Sequence, residues 1–213
     1  MRLSSLRPRY YIKRLQQARF QRAYPDAPWL TASAILLLDN WLKKTDVGFE
    51  WGSGRSTIWF ASRVSKVISI EENKAWFDIV TARLNENSIA NRVDYRFVEC
   101  GLREQDERSS HPYVDVVNEM ADASLDFALV DGNLRLACLR SVQSKIKPGG
   151  LLILDNANRY VPNASLPILQ TVNEPRSAPR SELWGQTLGD LKSWRWMNTT
   201  DGIWDTRFWV KPL

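Results

Sequence analysis

V-G-F-E-W-G-S-G-R-S-T, residues 47–57, is a short apolar run with an acid near its end, two glycines one residue apart, and hydroxyl residues that open a helical pattern. It reads as strand, tight turn and helix N-terminus. Gly52 and Gly54 lack a Cβ, so the backbone turns sharply and lets a ligand approach to van der Waals contact. The free N–H groups of the following helix point at that ligand. This is the geometry of a nucleotide or nucleoside site. Glycine pairs are common at strand-to-helix turns of doubly wound proteins, so the stretch takes its meaning from its neighbours.

A dinucleotide fingerprint asks for a third glycine where Thr57 stands, and brings a pyrophosphate against the helix start. Glu50, two residues ahead of the first glycine, repels a pyrophosphate in a partly desolvated cleft. A ligand with cationic groups suits it better. S-adenosylmethionine has an ammonium, a sulfonium and a ribose, and no phosphate. One βα unit on, K-V-I-S-I at 66–70 is a β-branched run ending in Glu71 and Glu72, and Glu71 follows Glu50 by 21 positions. An acid at the tip of the second strand accepts hydrogen bonds from both ribose hydroxyls of an adenosine laid on the glycine turn.

With these residues the chain resembles the class I S-adenosylmethionine-dependent methyltransferases from about Trp29 to Pro212, most closely a bacterial-type small-molecule group with a first motif of the form E-x-G-S-G-R-S-T. The resemblance is carried by F-E-W-G-S-G-R-S-T at 49–57, I-S-I-E at 68–71, and L-V-D-G at 129–132 with K-P-G-G-L-L-I-L-D-N at 147–156. It implies an α/β fold: a Rossmann-like doubly wound, mostly parallel sheet of about seven strands with a C-terminal antiparallel hairpin. It further implies that Glu50 and the turn at Gly52 and Gly54 hold the methionine part of the cofactor and Glu71 its ribose. Ser53, Ser56, Thr57 and Asp131 complete the cofactor-binding set. Glu99 is the nearest match to the acidic or polar residue that the family carries after its third strand, near the adenine amino group. Ser56 replaces the family's last glycine, and a serine there serves as a helix cap.

With 213 residues and 44% hydrophobic content, one core suffices and a single domain is the default. Within it, 1–45 reads as a basic helical arm and cap, and 46–213 as the S-adenosylmethionine-binding Rossmann-like methyltransferase domain. No apolar run approaches the length of a membrane span and no signal peptide is recognisable. Cys100 and Cys138 form neither a disulfide framework nor a zinc spacing, which points to a reducing cytoplasm. The net charge of +5 is uneven: residues 1–23 hold seven Arg and Lys and no acid, leaving −2 for the rest. The body is therefore not a basic nucleic-acid binder. The arm suits RNA, an anionic membrane surface or an acidic partner, resembles an organelle transit peptide in composition, or simply covers the sheet edge or pocket mouth as a solvated helix.

Along the chain, Tyr10–Ala23 reads as a helix ended by Pro25 and Pro28. Thr31 caps the next, with Ile35, Leu38 and Leu42 at helical spacing. A helix at 56–64 turns Ile58, Trp59 and Ala61 to the sheet; another, Glu72–Leu84, carries Trp76, Ile79, Val80 and Leu84 on one stripe. Arg92–Glu99 is the third strand. The polar stretch Gly101–Ala123 turns weakly helical from Tyr113 to Met120. Leu125–Val130 makes the fourth strand, a helix follows with Leu136, Leu139, Val142 and Ile146 inward, and Pro148-Gly149-Gly150 turns into the fifth strand, Leu151–Leu154. Parallel crossovers bring Asp131 and Asp155 to the same carboxyl edge as Gly52. Val161–Arg180, with Pro162, Pro167, Pro175 and Pro179, reads as a surface loop or lid. Ser193–Met197 and Thr206–Val210 form a hairpin around Asp201-Gly202. The tryptophans crowding it are read as packing, with one or two lining an acceptor pocket.

The chemistry implied is in-line displacement, with an acceptor oxygen or nitrogen of a small molecule attacking the methyl carbon. Candidate catalytic residues are Asp131, Asp155 and the lone histidine, His111, which is the natural proton acceptor by type although a loop histidine is more often an exposed side chain. Arg135 and Asn156 are the candidate substrate contacts. By resemblance, Asp131, Asp155 and Asn156 sit where catechol-type O-methyltransferases hold magnesium, but the lysine expected three residues after the first aspartate is Leu134. The acids are read first as substrate-pocket residues, second as helix caps and third as metal ligands. Two other classes compete. One is a nicotinamide-dependent oxidoreductase, against which Glu50 and Thr57 stand; the other is a non-catalytic nucleoside- or RNA-binding protein on the same scaffold.

Overall fold

The computed structural model describes residues 8–102, 110–162 and 178–213. Strands β1 (Val47–Trp51), β2 (Lys66–Glu71), β3 (Val93–Phe97), β4 (Leu125–Val130), β5 (Ile146–Leu154), β6 (Arg195–Thr200) and β7 (Asp205–Val210) form one sheet. Its order is β3-β2-β1-β4-β5-β7-β6. The first five strands pair in parallel, and β7 runs antiparallel to both β5 and β6. The C-terminal hairpin thus closes one edge of a doubly wound sheet, as the sequence implies. Strand order reverses beside β1, which opens the crevice at the carboxyl ends of β1 and β4.

Alternation along the strands sorts the core into two layers. Trp51, Ile70, Val130 and Leu154 pack on one face with α5 (Pro112–Asp115), α6 (Arg135–Ser141) and α7 (Glu182–Asp190). Val67, Phe127, Leu129 and Ile153 pack on the other with α2 (Ala32–Trp41) and α3 (Arg55–Ala61). Gly48 is required on that second face, since a Cβ there would lie 2.0 Å from the Phe127 ring. Glu50 follows Gly48 by two residues, so its side chain enters the same layer, beneath α3. This alternation decides the environment of the most important acid in the chain.

Helix α1 (Pro8–Ala23) and α2 begin close to their expected positions, and the Thr31 hydroxyl accepts from Ala34 N at 3.3 Å as the N-cap. Several expectations need correction. Helix α3 starts at Gly54 and Arg55: Gly54 N donates to the Thr57 hydroxyl at 3.0 Å, so Thr57, not Ser56, closes the first turn. Phe60 joins Trp59 and Ala61 in the buried face, while Ile58 is only half-buried. In α4 (Lys74–Glu86) Val80 and Leu84 are buried, while Ile79 is 44% exposed and lies off the buried face. Ile146 belongs to β5 rather than to the preceding helix, because it pairs with Leu125; a register shift follows before Phe127 meets Leu151. Helix α7, capped by Ser181, was not anticipated at all. The expected loop over 161–180 lies largely outside the described residues.

Candidate active site

The bend after β1 is built onto the tips of its neighbours. Gly52 N donates to Ile70 O at 2.9 Å, and Asp131 N donates to Trp51 O at 3.0 Å. Gly52 has φ +88°, and a Cβ there would come within 2.9 Å of the Asp131 carbonyl carbon and Gly132 N. Two loops therefore meet backbone to backbone, which only glycine permits. Ser53 then turns toward β2: its N–H (3.1 Å) and hydroxyl (2.6 Å) both donate to Glu71 Oε2. The other oxygen of Glu71 accepts from Glu72 N and Asn73 N, at 3.0 and 2.8 Å. Behind this, Tyr95 OH lies 2.7 Å from Ser53 Oγ, and Trp76 Nε1 donates to Ser53 O at 2.9 Å. The spacing between Glu50 and Glu71 thus translates into direct contact between the bend and the second acid.

Glu50 lies behind the bend. Its side chain is wholly buried, and Oε1 accepts from Thr57 Oγ1 at 2.5 Å and Ser69 Oγ at 2.7 Å. Oε2 has no hydrogen-bond partner among the described residues. Burial disfavours the charged form and pushes its pKa up to about 7, against the opposing hydroxyls of Thr57, Ser69 and Ser56.

Two clefts adjoin the carboxyl edge. The smaller, ≈ 30 Å³, runs along the bend between Ser53, Gly54, Ser56, Trp76 and Trp29. The larger, ≈ 710 Å³, has Asp131, Asp155 and Asn156 on its floor, Trp29 and Trp204 on its walls, and Tyr11, Arg14 and Leu15 of α1 as a roof. Trp29 and Asp131 line both. Trp29 stacks on Trp76 with ring centroids 6.4 Å apart, and the Arg55 guanidinium stands 5.6 Å over it. Of the readings open for the basic arm, a helix covering the pocket mouth matches the described part of α1.

Asp155 is the buried acid of the floor. Thr206 Oγ1 donates to its Oδ1 at 2.7 Å and Asn156 Nδ2 to its Oδ2 at 2.6 Å. Burial first, and the nearby Asp131 second, push its pKa up to about 8. Neither aspartate caps a helix: α6 has Leu134 at its N-cap in the left-handed region, φ +48°, and no side chain bonds the cap there. Asp155 does accept from the backbone of Asn156 in the loop that follows it, so the capping reading holds there for a loop and not for a helix.

Arg135 is also corrected in its immediate role. Its guanidinium, 7% exposed, faces inward and donates to Gly132 O, Asp155 O and Asp131 O, at 2.9, 2.5 and 2.9 Å, and to Asp131 Oδ1 at 2.9 Å. It braces the tips of β4 and β5 rather than facing the cleft. His111 accepts from Tyr113 N through Nδ1 at 3.1 Å, so it is the N-cap of α5, and it does not line either cleft. Glu99 lies past the end of β3 with an exposed side chain, also outside both linings. Among the described residues no group of three or more His, Cys, Asp or Glu is arranged to hold a metal ion. Arg135 occupies Asp131, and Asp155 is enclosed by neutral donors, so this donor set does not fit a divalent cation.

Sequence reasoning missed Tyr95, Ser69, Thr206 and Trp29, and it named no α1 side chain although it offered the arm as a helix over the pocket mouth. Ser69 carried a faint signal: it is a hydroxyl inside the apolar run 67–70, where an unpaired polar group is costly and a buried partner is expected.

No protein-family model matches this chain, and no curated protein matches it. Solved structures do. A methyltransferase from Geobacter sulfurreducens has a TM-score of 0.57 at 14% identity, over 99% of this chain and 93% of that one. A Corynebacterium glutamicum protein reaches 0.62 at 11% identity, over 95% of this chain and 90% of that one. An RNA methyltransferase from Salinibacter ruber, solved in complex with S-adenosyl-L-homocysteine, reaches 0.50 at 14% identity, over 87% of this chain and 93% of that one. The fold is the Rossmann-like one of these structures, two of which are methyltransferases. At such identities the likeness extends to fold alone. No helix of the described residues is long and apolar enough to cross a membrane.

Proposed function

We propose that this chain is an S-adenosylmethionine-dependent methyltransferase that moves a methyl group to an oxygen, or a nitrogen, of a small-molecule acceptor. One observation carries the reading: the glycine bend delivers Ser53 onto the carboxylate of Glu71, with Glu50 and Asp131 completing an acidic surround. Such a surround favours a cationic thioether nucleoside and repels a diphosphate, which argues against a nicotinamide cofactor. Ser53 Oγ already has Tyr95 OH as a second partner, so it can release Glu71 Oε2 to a ribose hydroxyl.

When bound, the cofactor supplies a methyl group made electrophilic by a positively charged sulfur. The chain supplies alignment and a proton acceptor. Trp29 and Asp131, shared by both clefts, set cofactor and acceptor side by side. Asp155, oriented by Thr206 and Asn156, takes the proton from an acceptor hydroxyl, and Arg135 fixes the strand tips that carry it. With its pKa near 8, Asp155 is a stronger base than an ordinary carboxylate once ionised. Helix α1 across the larger cleft favours a small acceptor over a polymer threaded through it. Calorimetric titration tests the assignment. S-adenosylmethionine and S-adenosylhomocysteine should bind and NAD should not; NAD binding in their place overturns it.

A further inference from the structure

The larger cleft carries charges of both signs. Asp131 and Asp155 line it, and among the described residues that line it Arg14 is the single cation. Arg14 Nη1 donates to Gln17 Oε1 at 3.1 Å, and Gln17 Nε2 donates in turn to Asp201 Oδ2 at 3.3 Å. The chain 201–204 is itself folded tightly, with Asp201 Oδ1 accepting from Ile203 N and Trp204 N, each at 2.8 Å. Arg14 is thus tied through Gln17 to the hairpin turn that also sets the Trp204 wall. Gly202 is packed under α1 as well: a Cβ there would lie 3.0 Å from the Lys13 stem. The same lining includes the flat aromatic faces of Trp29, Trp204 and Tyr11. A planar ring fills such a slot better than a flexible chain.

We propose that the acceptor is a hydroxyaromatic carboxylate, held with its hydroxyl toward Asp155 and its carboxylate toward Arg14. The assignment rests on the methyl-transfer reading above and names the substrate class of that site. The phenolic oxygen forms a bond to the methyl carbon as the carbon–sulfur bond breaks, its electron pair passing to sulfur; the hydroxyl proton goes to the ionised Asp155 carboxylate. Arg14 is the specificity-determining residue. A guanidinium matches a carboxylate in a planar, two-pronged contact that an amide of the same shape does not reproduce. An acid-free α1 adds to the same preference, with Lys13, Arg19 and Arg22 on the roof helix.

The probes are 4-hydroxybenzoate and its neutral isostere 4-hydroxybenzamide, titrated by calorimetry into the full chain saturated with S-adenosylhomocysteine. The wild-type chain should bind the benzoate about 10-fold or more tightly over the benzamide. Arg14→Met should erase that preference and Arg14→Lys should keep part of it, with the affinity for S-adenosylhomocysteine unchanged in both. Equal binding of the two probes by the wild-type chain overturns the proposal, as does a preference that survives Arg14→Met. In either of those cases retained binding of S-adenosylhomocysteine leaves the methyl-transfer reading standing. Failure to bind S-adenosylhomocysteine at all removes both.

Discussion

Replacing Glu71 by glutamine probes the centre of the site by changing one oxygen to an amide nitrogen. In the structure the two carboxylate oxygens accept from Ser53 N, Ser53 Oγ, Glu72 N and Asn73 N. Whichever way the amide turns, its nitrogen faces two of these donors. On the side of Glu72 and Asn73 both donors are backbone N–H groups and neither can reverse. On the other side the Ser53 hydroxyl can turn to accept from the amide while donating to Tyr95. The amide nitrogen therefore settles beside Ser53, and one bond is lost, that from Ser53 N at 3.1 Å. Losing a hydrogen bond to a charged, nearly buried acceptor costs about 1–3 kcal/mol. In a chain of this size that lowers the melting temperature by about 2–10 °C. The same change deprives a ribose of its charged acceptor, so the affinity for S-adenosylhomocysteine should fall about 10- to 100-fold. Thermal unfolding and calorimetry read the two effects separately. A lower melting temperature with unchanged affinity would keep the account of the bend and remove Glu71 from the ligand. No change in either would refute both.

Three further perturbations follow from the same contacts. The Tyr113 hydroxyl is buried without a partner among the described residues, so Tyr113→Phe should leave the chain as stable or raise its stability by up to about 1–3 kcal/mol in urea unfolding; a clear loss would reveal a hidden partner. Arg135→Lys replaces a fork serving three carbonyls with a single ammonium, and should lower stability by about 2–4 kcal/mol; an unaltered urea midpoint would contradict the brace. Asp155 and Glu50 have folded pKa values raised to about 8 and about 7, so the folded chain holds protons that the unfolded chain has released. Stability should then fall as pH rises from the ordinary carboxylate range toward 8 and level off above it. Asp155→Asn, which cannot ionise, should flatten much of that fall in denaturation curves at pH 5 and pH 8.5; parallel curves for the two proteins would exclude a buried, neutral Asp155.

Strand positions and the shared carboxyl edge were legible because β-branched runs separated by helical repeats leave a right-handed parallel arrangement almost no alternative. The nearness of Glu71 to the glycine bend followed from the same cause, two strand tips one crossover apart lying side by side, whereas its direct contact with Ser53 was not anticipated. What escaped the sequence lies at angles and distances that periodicity does not carry. Gly54, at φ +156°, starts α3 earlier than the hydroxyl pattern suggests, which moves the closing role from Ser56 to Thr57. Arg135 stands four residues after Asp131, a spacing that permits a salt bridge, but its inward course depends on Leu134 adopting a left-handed conformation. Helix α7 carries Gly185 and Gly189, which mask its helical pattern, although Ser181 caps it.

The floor of the larger cleft shows why catalysis is harder to read than binding. The proton affinity of Asp155 is raised by the depth of the layer in which it sits and by the neighbouring Asp131, against the hydrogen bond from Thr206, 51 residues away. The roof is set by Gln17 reaching Asp201, 184 residues away. A sequence motif names the acid and cannot name its environment. That environment raises the pKa of Asp155 to about 8, and the proposed role of Asp155 as proton acceptor rests on it. The proposed cofactor edge, by contrast, is built from backbone turns and acids at adjacent strand tips, which local sequence fixes. The division between a legible binding edge and an illegible reaction floor follows from that difference in range.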